Sequence, residues 1–146
     1  MRTKGFTLIE LLLVIVIIAI SAAVVAPNIG SGNQTAKLKS SMRDIASALR
    51  FARGHALSQH KESRVLFNLQ DNTYQITGKT KTYRIAKEIE VTLDLAQSQI
   101  IDETQGSIRF FPDGSSTGGR VTLEVAGNKR QLDVNWLTGH VEINDQ

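Results

Sequence analysis

Lys4-Gly5-Phe6-Thr7-Leu8-Ile9-Glu10 opens an apolar run that continues to Ala26, and Pro27 follows it. The 21 residues from Phe6 to Ala26 are almost wholly apolar, and a single carboxylate, Glu10, interrupts them. A helix of that length rises ~30 Å, about one bilayer hydrocarbon core. An ionisable group within such a span costs at least ~2 kcal/mol, which makes Glu10 a candidate functional residue. The rest of the chain is then a body carried by a membrane helix.

Composition leaves room for one such body in 146 residues. There is no cysteine, which excludes a disulfide framework and thiol chemistry without identifying a compartment. Formal net charge is +3. Without Arg2 and Lys4, the 17 basic residues fall to 15 against 14 acidic ones, a balance of +1. Overall charge therefore names no partner, and only local charge can.

Three readings of residues 1–26 compete. A secretory signal peptide needs an apolar core of ~7–15 residues and a small-residue cleavage site. Ser21-Ala22-Ala23 imitates the site, but the core is too long. An ordinary single-span anchor is the second reading. The third rests on the basic leader, Gly5, Phe6, Glu10 and Pro27 together, which resemble the class III signal of type IV pilins and type II secretion pseudopilins. That resemblance implies cleavage between Gly5 and Phe6 by a prepilin peptidase and N-methylation of the new Phe6 amine. It also implies that Glu10 pairs with the amine of a neighbouring subunit during assembly. A buried charge left unpaired is costly, so pairing would set the register of packing. Against this stands a protonated Glu10 tolerated in lipid without a partner.

Beyond Pro27, Asn28-Ile29-Gly30-Ser31-Gly32-Asn33 favours a kink or short break. From about Thr35 the helical period returns, with Leu38, Met42, Ile45, Leu49, Ala52 and Ala56 on one face and an end expected between Ser58 and Lys61. Beside that face Lys39, Arg43, Arg50 and Arg53 fall within ~80° of one another. Such a stripe is a solvated face, a surface meeting acidic groups on neighbouring subunits, or a DNA contact. Arg2 and Lys4 flank the apolar run most closely, which keeps the N-terminus cytoplasmic and the body outside.

Past the helix the period becomes two. Val65/Phe67/Leu69, Tyr74/Ile76, Tyr83/Ile85, Ile89 to Leu95, Ile108/Phe110, Val121 to Val125 and Leu132/Val134/Trp136 alternate with polar residues. Turns are expected at Asp71-Asn72, Asp113-Gly114, Gly127-Asn128 and Thr138-Gly139, with a long connection from Ala96 to Gly106. The fold class is α+β: a long helix, transmembrane in its first half and amphipathic in its second, packed on an antiparallel β body. The expected divisions are a leader at 1–5, an assembly helix at 6–27, a stalk helix at 28–61 and a β-rich periplasmic domain at 62–146.

Ala46 to Ala56, Ile108 to Ser116 and Leu137-Thr138-Gly139-His140-Val141 together resemble the H-type minor pseudopilin domain of type II secretion systems. Minor type IV pilins of the FimT and FimU type share it. DNA-binding FimT-like members tend to carry a basic C-terminal motif. Here Glu142-Ile143-Asn144-Asp145-Gln146 is acidic, which argues against nucleic acid as a partner.

Catalytic and metal chemistry have little to rest on. Gly114 to Val121 lacks the lysine of a phosphate loop and leads into a strand. His55, His60 and His140 lack metal-ligand spacing. A calcium loop between Asp94 and Glu103 is the weakest alternative. The expectation is a non-catalytic inner-membrane protein without cofactors, a single-pass subunit of the periplasmic pseudopilus that drives export of folded proteins. Its expected partners are other pilin-like subunits in a fibre, prepilin peptidase and inner-membrane lipid. A minor type IV pilin that primes pilus assembly and a DNA-binding competence pilin are the alternatives.

Overall fold

The computed structural model describes the backbone of residues 7–145 and the side chains of residues 7–21 and 32–144. The first element, α1 (Leu8–Gln59), is 52 residues long. It ends where the sequence predicts, at His60 with φ 53°. The break expected between Pro27 and Asn33 does not occur, because these residues stay helical. Proline deletes one donor, and the hydrogen bonds of the turns around it carry the backbone through. Among the described residues no helix is long and apolar enough to cross a membrane. Of the run expected to do so, Phe6 and the side chains of residues 22–26 lie outside the described residues.

The chain divides into two compact units, Met1–Gln34 and Thr35–Gln146. In the second unit the predicted face of α1 is the heart of the core. Leu38 and Met42 are 1% exposed and Ile45, Leu49, Ala52 and Ala56 are fully buried. The 4, 3, 4, 3, 4 spacing puts these six side chains on one stripe, and burying each large one is worth ~2 kcal/mol.

Among the described residues nine strands follow: β1 (Ser63–Asn68), β2 (Thr73–Ile76), β3 (Thr82–Arg84), β4 (Glu90–Asp94), β5 (Ile100–Asp102), β6 (Gln105–Phe110), β7 (Gly119–Val125), β8 (Asn128–Val134) and β9 (Val141–Asp145). They form two antiparallel sheets where one body was expected. One has the order β3-β2-β1-β6-β5 and the other β4-β7-β8-β9. Val65, Phe67, Ile108 and Phe110 from the first and Val121, Leu123 and Leu132 from the second join the α1 stripe in one buried cluster. The inner faces thus share a core, and the outer faces look away from it.

Three local expectations change. The long connection from Ala96 to Gly106 contains a 3-10 turn (Gln97–Gln99), β5 and the start of β6. The Asp102 carboxylate makes the tight β5–β6 turn, accepting from the Thr104 amide at 2.7 Å and the Thr104 hydroxyl at 2.8 Å. Those hydroxyl and amide hydrogen bonds hold the Asp102 carboxyl below the usual range. Trp136 does not extend the alternation of β8, which stops at Val134, and its side chain is 67% exposed. The turn after β7 sits one residue earlier than expected. Ala126 (φ 48°) and Gly127 (φ 76°) form its corner, the two positive φ values that suit the twist of a hairpin.

Candidate functional site

The N-terminal site begins at its edge. Gly5 and Phe6, the expected cleavage and methylation positions, lie outside the described residues. Thr7 is described, and its carbonyl accepts from the amides of Glu10 at 3.1 Å and Leu11 at 3.2 Å. Glu10 therefore stands in the first turn of α1, where the helix dipole favours a negative charge. Its side chain is exposed, and no cation among the described residues pairs with it. Leu8, Ile9, the six residues from Leu11 to Val16, Ile17, Ile18 and Ile20 are all at least 46% exposed. A helix apolar all round needs an apolar surrounding, either lipid or other helices. Polar Ser21 fits such a setting because its hydroxyl donates to the Ile17 carbonyl at 2.8 Å.

The basic stripe on the second half of α1 divides in two. Lys39 and Arg43 are exposed to solvent. Arg50, although exposed, and the half-buried Arg53 reach the β body: Arg50 Nη2 donates to the Val141 carbonyl and Arg53 Nε to the Gly114 carbonyl, each at 3.2 Å. Lys37, two residues before the stripe begins, meets Glu88 at 2.6 Å. The ammonium holds the Glu88 carboxyl below its usual range. Both side chains are more than 40% exposed, so the pair adds little stability.

The carbonyls bound by Arg50 and Arg53 belong to the two motifs singled out in the sequence, Gly114 in the loop after β6 and Val141 where the second loop enters β9. In the first, Asp113 Oδ1 accepts from the Ser115 amide at 3.0 Å and the Ser115 hydroxyl at 2.6 Å, which lowers the Asp113 pKa. In the second, Asn135 Oδ1 accepts from the amides of Leu137 and Thr138. The Ser116 amide donates to the Trp136 carbonyl at 2.8 Å and the Ser116 hydroxyl to the Asn135 carbonyl at 3.0 Å, tying the loops together. Gly139 (φ 64°) sits where they meet α1. A Cβ there would collide with the Gly114 carbonyl oxygen and approach Arg53 Nε to 2.9 Å. The loop motifs therefore lock the β body to the helix end. Sequence reading missed this joint because nothing in the spacing of Arg50 and Arg53 distinguishes a loop anchor from a solvated cation. It also missed the exposed pair Trp136 and Leu137 at the joint's rim.

No metal chemistry gathers here. Among the described residues no group of three or more His, Cys, Asp or Glu side chains could hold an ion. His55 packs against Phe51 with ring centroids 6.0 Å apart. A Cβ on Gly78 would come within 2.8 Å of its Nε2, so the imidazole fills that space.

Residues 41–139 match the family described as Type II transport protein GspH, and residues 1–26 match the prokaryotic N-terminal methylation motif. The chain is 33% identical over 140 residues to type II secretion system protein H of Xanthomonas campestris pv. campestris, spanning 96% of this chain and 82% of that protein. Its fold resembles the minor pseudopilin EpsH of Vibrio cholerae, with a TM-score of 0.60 and 9% identity over 75% of this chain and 97% of that one. It also resembles the type IV minor pilin FimU of Pseudomonas aeruginosa, with a TM-score of 0.58 and 12% identity over 76% and 90%. An N-terminal helix packed on antiparallel sheets is thus common to pilin and pseudopilin, and the family match decides between them. The chain belongs to the GspH family of type II transport proteins.

Proposed function

We propose that this GspH-family chain is a non-catalytic minor pseudopilin, a structural subunit of the periplasmic pseudopilus through which a type II secretion system exports folded proteins. The observation that carries the proposal is the helix from Leu8 to Ile20, apolar and exposed on every side, with the lone carboxylate Glu10 in its first turn. Such a helix suits lipid before assembly and a bundle of like helices after it. In this reading the peptidase cuts after Gly5, the Phe6 amine is methylated, and Glu10 meets the amine of the next subunit. The chain is then held in the inner membrane, with its β body in the periplasm and Lys39 and Arg43 free to meet acidic groups on neighbours.

Two substitutions test this reading in cells. Gly5→Ala should block conversion of the precursor to the faster-migrating mature chain, and an unchanged mobility would remove the cleavage assignment. Glu10→Ala should leave the chain in the membrane fraction and reduce its recovery in sheared fibres at least ~10-fold, as expected for loss of a buried charge pair. Normal fibre incorporation would take the assembly role away from Glu10. The fold likeness to FimU supports a pilus role only at the level of architecture, whereas the 33% identical relative carries a secretion-system name.

A further inference from the structure

The five-stranded sheet ends at β3, and among the described residues no strand pairs with its outer edge. The Ile85 amide donates to the Asn72 carbonyl at 2.8 Å, so those two residues form a hydrogen-bonded pair of the β2–β3 ladder. Two positions along, Tyr83 and Tyr74 form the next one. Between and beyond them, Arg84 and Thr82 turn their amides and carbonyls away from β2, towards the open edge.

An open groove of about 760 Å³ lies between α1 and the β2–β3 hairpin, and all three residues of β3 line it. Its lining includes two aromatic rings, Phe51, which is 40% exposed, and the half-buried Tyr83. Lys79 Nζ stands over the Phe51 ring at 4.2 Å and Lys81 Nζ over the Tyr83 ring at 5.2 Å. With Arg84 they set three cations against one lining acid, Asp44. Among the described residues no carboxylate is within ion-pair distance of any of the three. Lysines beside an edge keep ordinary strands from adding to it. They do not repel a strand that brings carboxylates. Such a strand would find main-chain partners along β3, aromatic faces for its alternate side chains and cations for its acids.

We propose that an extended acidic segment of a neighbouring, different subunit of the fibre lies in this groove and adds a strand to β3. The proposal rests on the fibre reading above. The acidic chemistry follows from the three cations without partners, and the extended form from the open edge. A neighbour is the source because α1, one wall of the groove, is the element by which that reading holds subunits side by side. β3 has only three residues, so the surface buried falls short of the ~1,200 Å² of a stable interface. The contact therefore forms where the helices already hold the neighbour in place.

Photocrosslinking of the full-length chain in its own cells tests this. Ser47 is exposed on the α1 wall of the groove, and Ser47→p-benzoylphenylalanine places the probe there. Irradiation should give one main adduct, to an Asp- or Glu-rich stretch of a different chain that itself carries an N-terminal methylation motif. Adding Lys79→Glu and Lys81→Glu should cut the adduct ~10-fold or more, since like charges then meet. Exchanging the acids of the crosslinked stretch for lysines should restore most of it, which also shows that the charge-reversed chain folds. Thr82→Pro deletes an outward amide, a change that an edge strand tolerates. It should lower the adduct while the thermal midpoint in detergent stays within a few degrees, and an unchanged adduct overturns the strand addition. If that midpoint falls, the charge exchange decides. An adduct to another copy of this chain, to a secreted protein or to nucleic acid overturns the proposal, as does one indifferent to the lysine reversal. No adduct, with normal Gly5 processing and fibre recovery, overturns it and leaves the fibre reading standing. Loss of processing or recovery in the natural chain removes both.

Discussion

At the scale of single residues, the β body depends on side chains that bind backbone. Arg50, Arg53, Asp102, Asp113 and Asn135 each satisfy main-chain groups of a loop or turn. Tyr74 shows the other way a polar residue is constrained. Its ring stacks on Tyr83 with centroids 5.1 Å apart, and burial first, then the charge of Asp44 and the neighbouring Tyr83, push its pKa from 10.0 to about 12. Because the folded value is raised, its contribution to stability is complete below pH 10 and is lost as pH climbs towards 12. Thermal midpoints measured across that window should fall less steeply for Tyr74→Phe than for the natural chain. Equal slopes would show that the phenol ionises as freely in the folded state as in the unfolded one. The identities of these residues are plain in the sequence, but their partners are not, because each partner lies in another segment and is backbone or ring without a distinguishing type.

At the scale of elements, legibility followed periodicity. The α1 stripe was readable because six apolar residues keep one helical face, and all six are buried. Leu49→Ala removes a fully buried side chain at the centre of that stripe and should cost ~2–5 kcal/mol by denaturant unfolding. A loss below ~1 kcal/mol would mean that the helix packs loosely. The β5–β6 hairpin was unreadable for an equally physical reason. Its turn, Glu103-Thr104, has neither glycine nor asparagine and is made by the preceding Asp102 carboxylate. β9 hid behind the loop motif before it, although Val141 and Ile143 alternate with polar residues. Proline misled in the opposite direction, since a strong local breaker at position 27 did not end the helix.

At the scale of the whole molecule, the buried apolar cluster draws, among the described residues, only on those from Leu38 onward. A chain beginning at Thr35 should therefore unfold in one cooperative transition, with a midpoint within a few degrees of the full chain in detergent. A broad or absent transition would show that the first 34 residues take part in the folding unit. The split into two sheets could not be read from alternation, which reports that a strand has an inside face but not which sheet it joins. Eleven large apolar side chains between Leu8 and Ile20 are uncovered. Placing them in water costs on the order of 10 kcal/mol, a population penalty of about ten million. In the reading proposed above, such a subunit has no dissolved free state to draw on and is not recruited from a soluble pool as ordinary monomers are. Every move it makes has to be a direct handover, with one greasy surrounding closing on the helix as the other lets go.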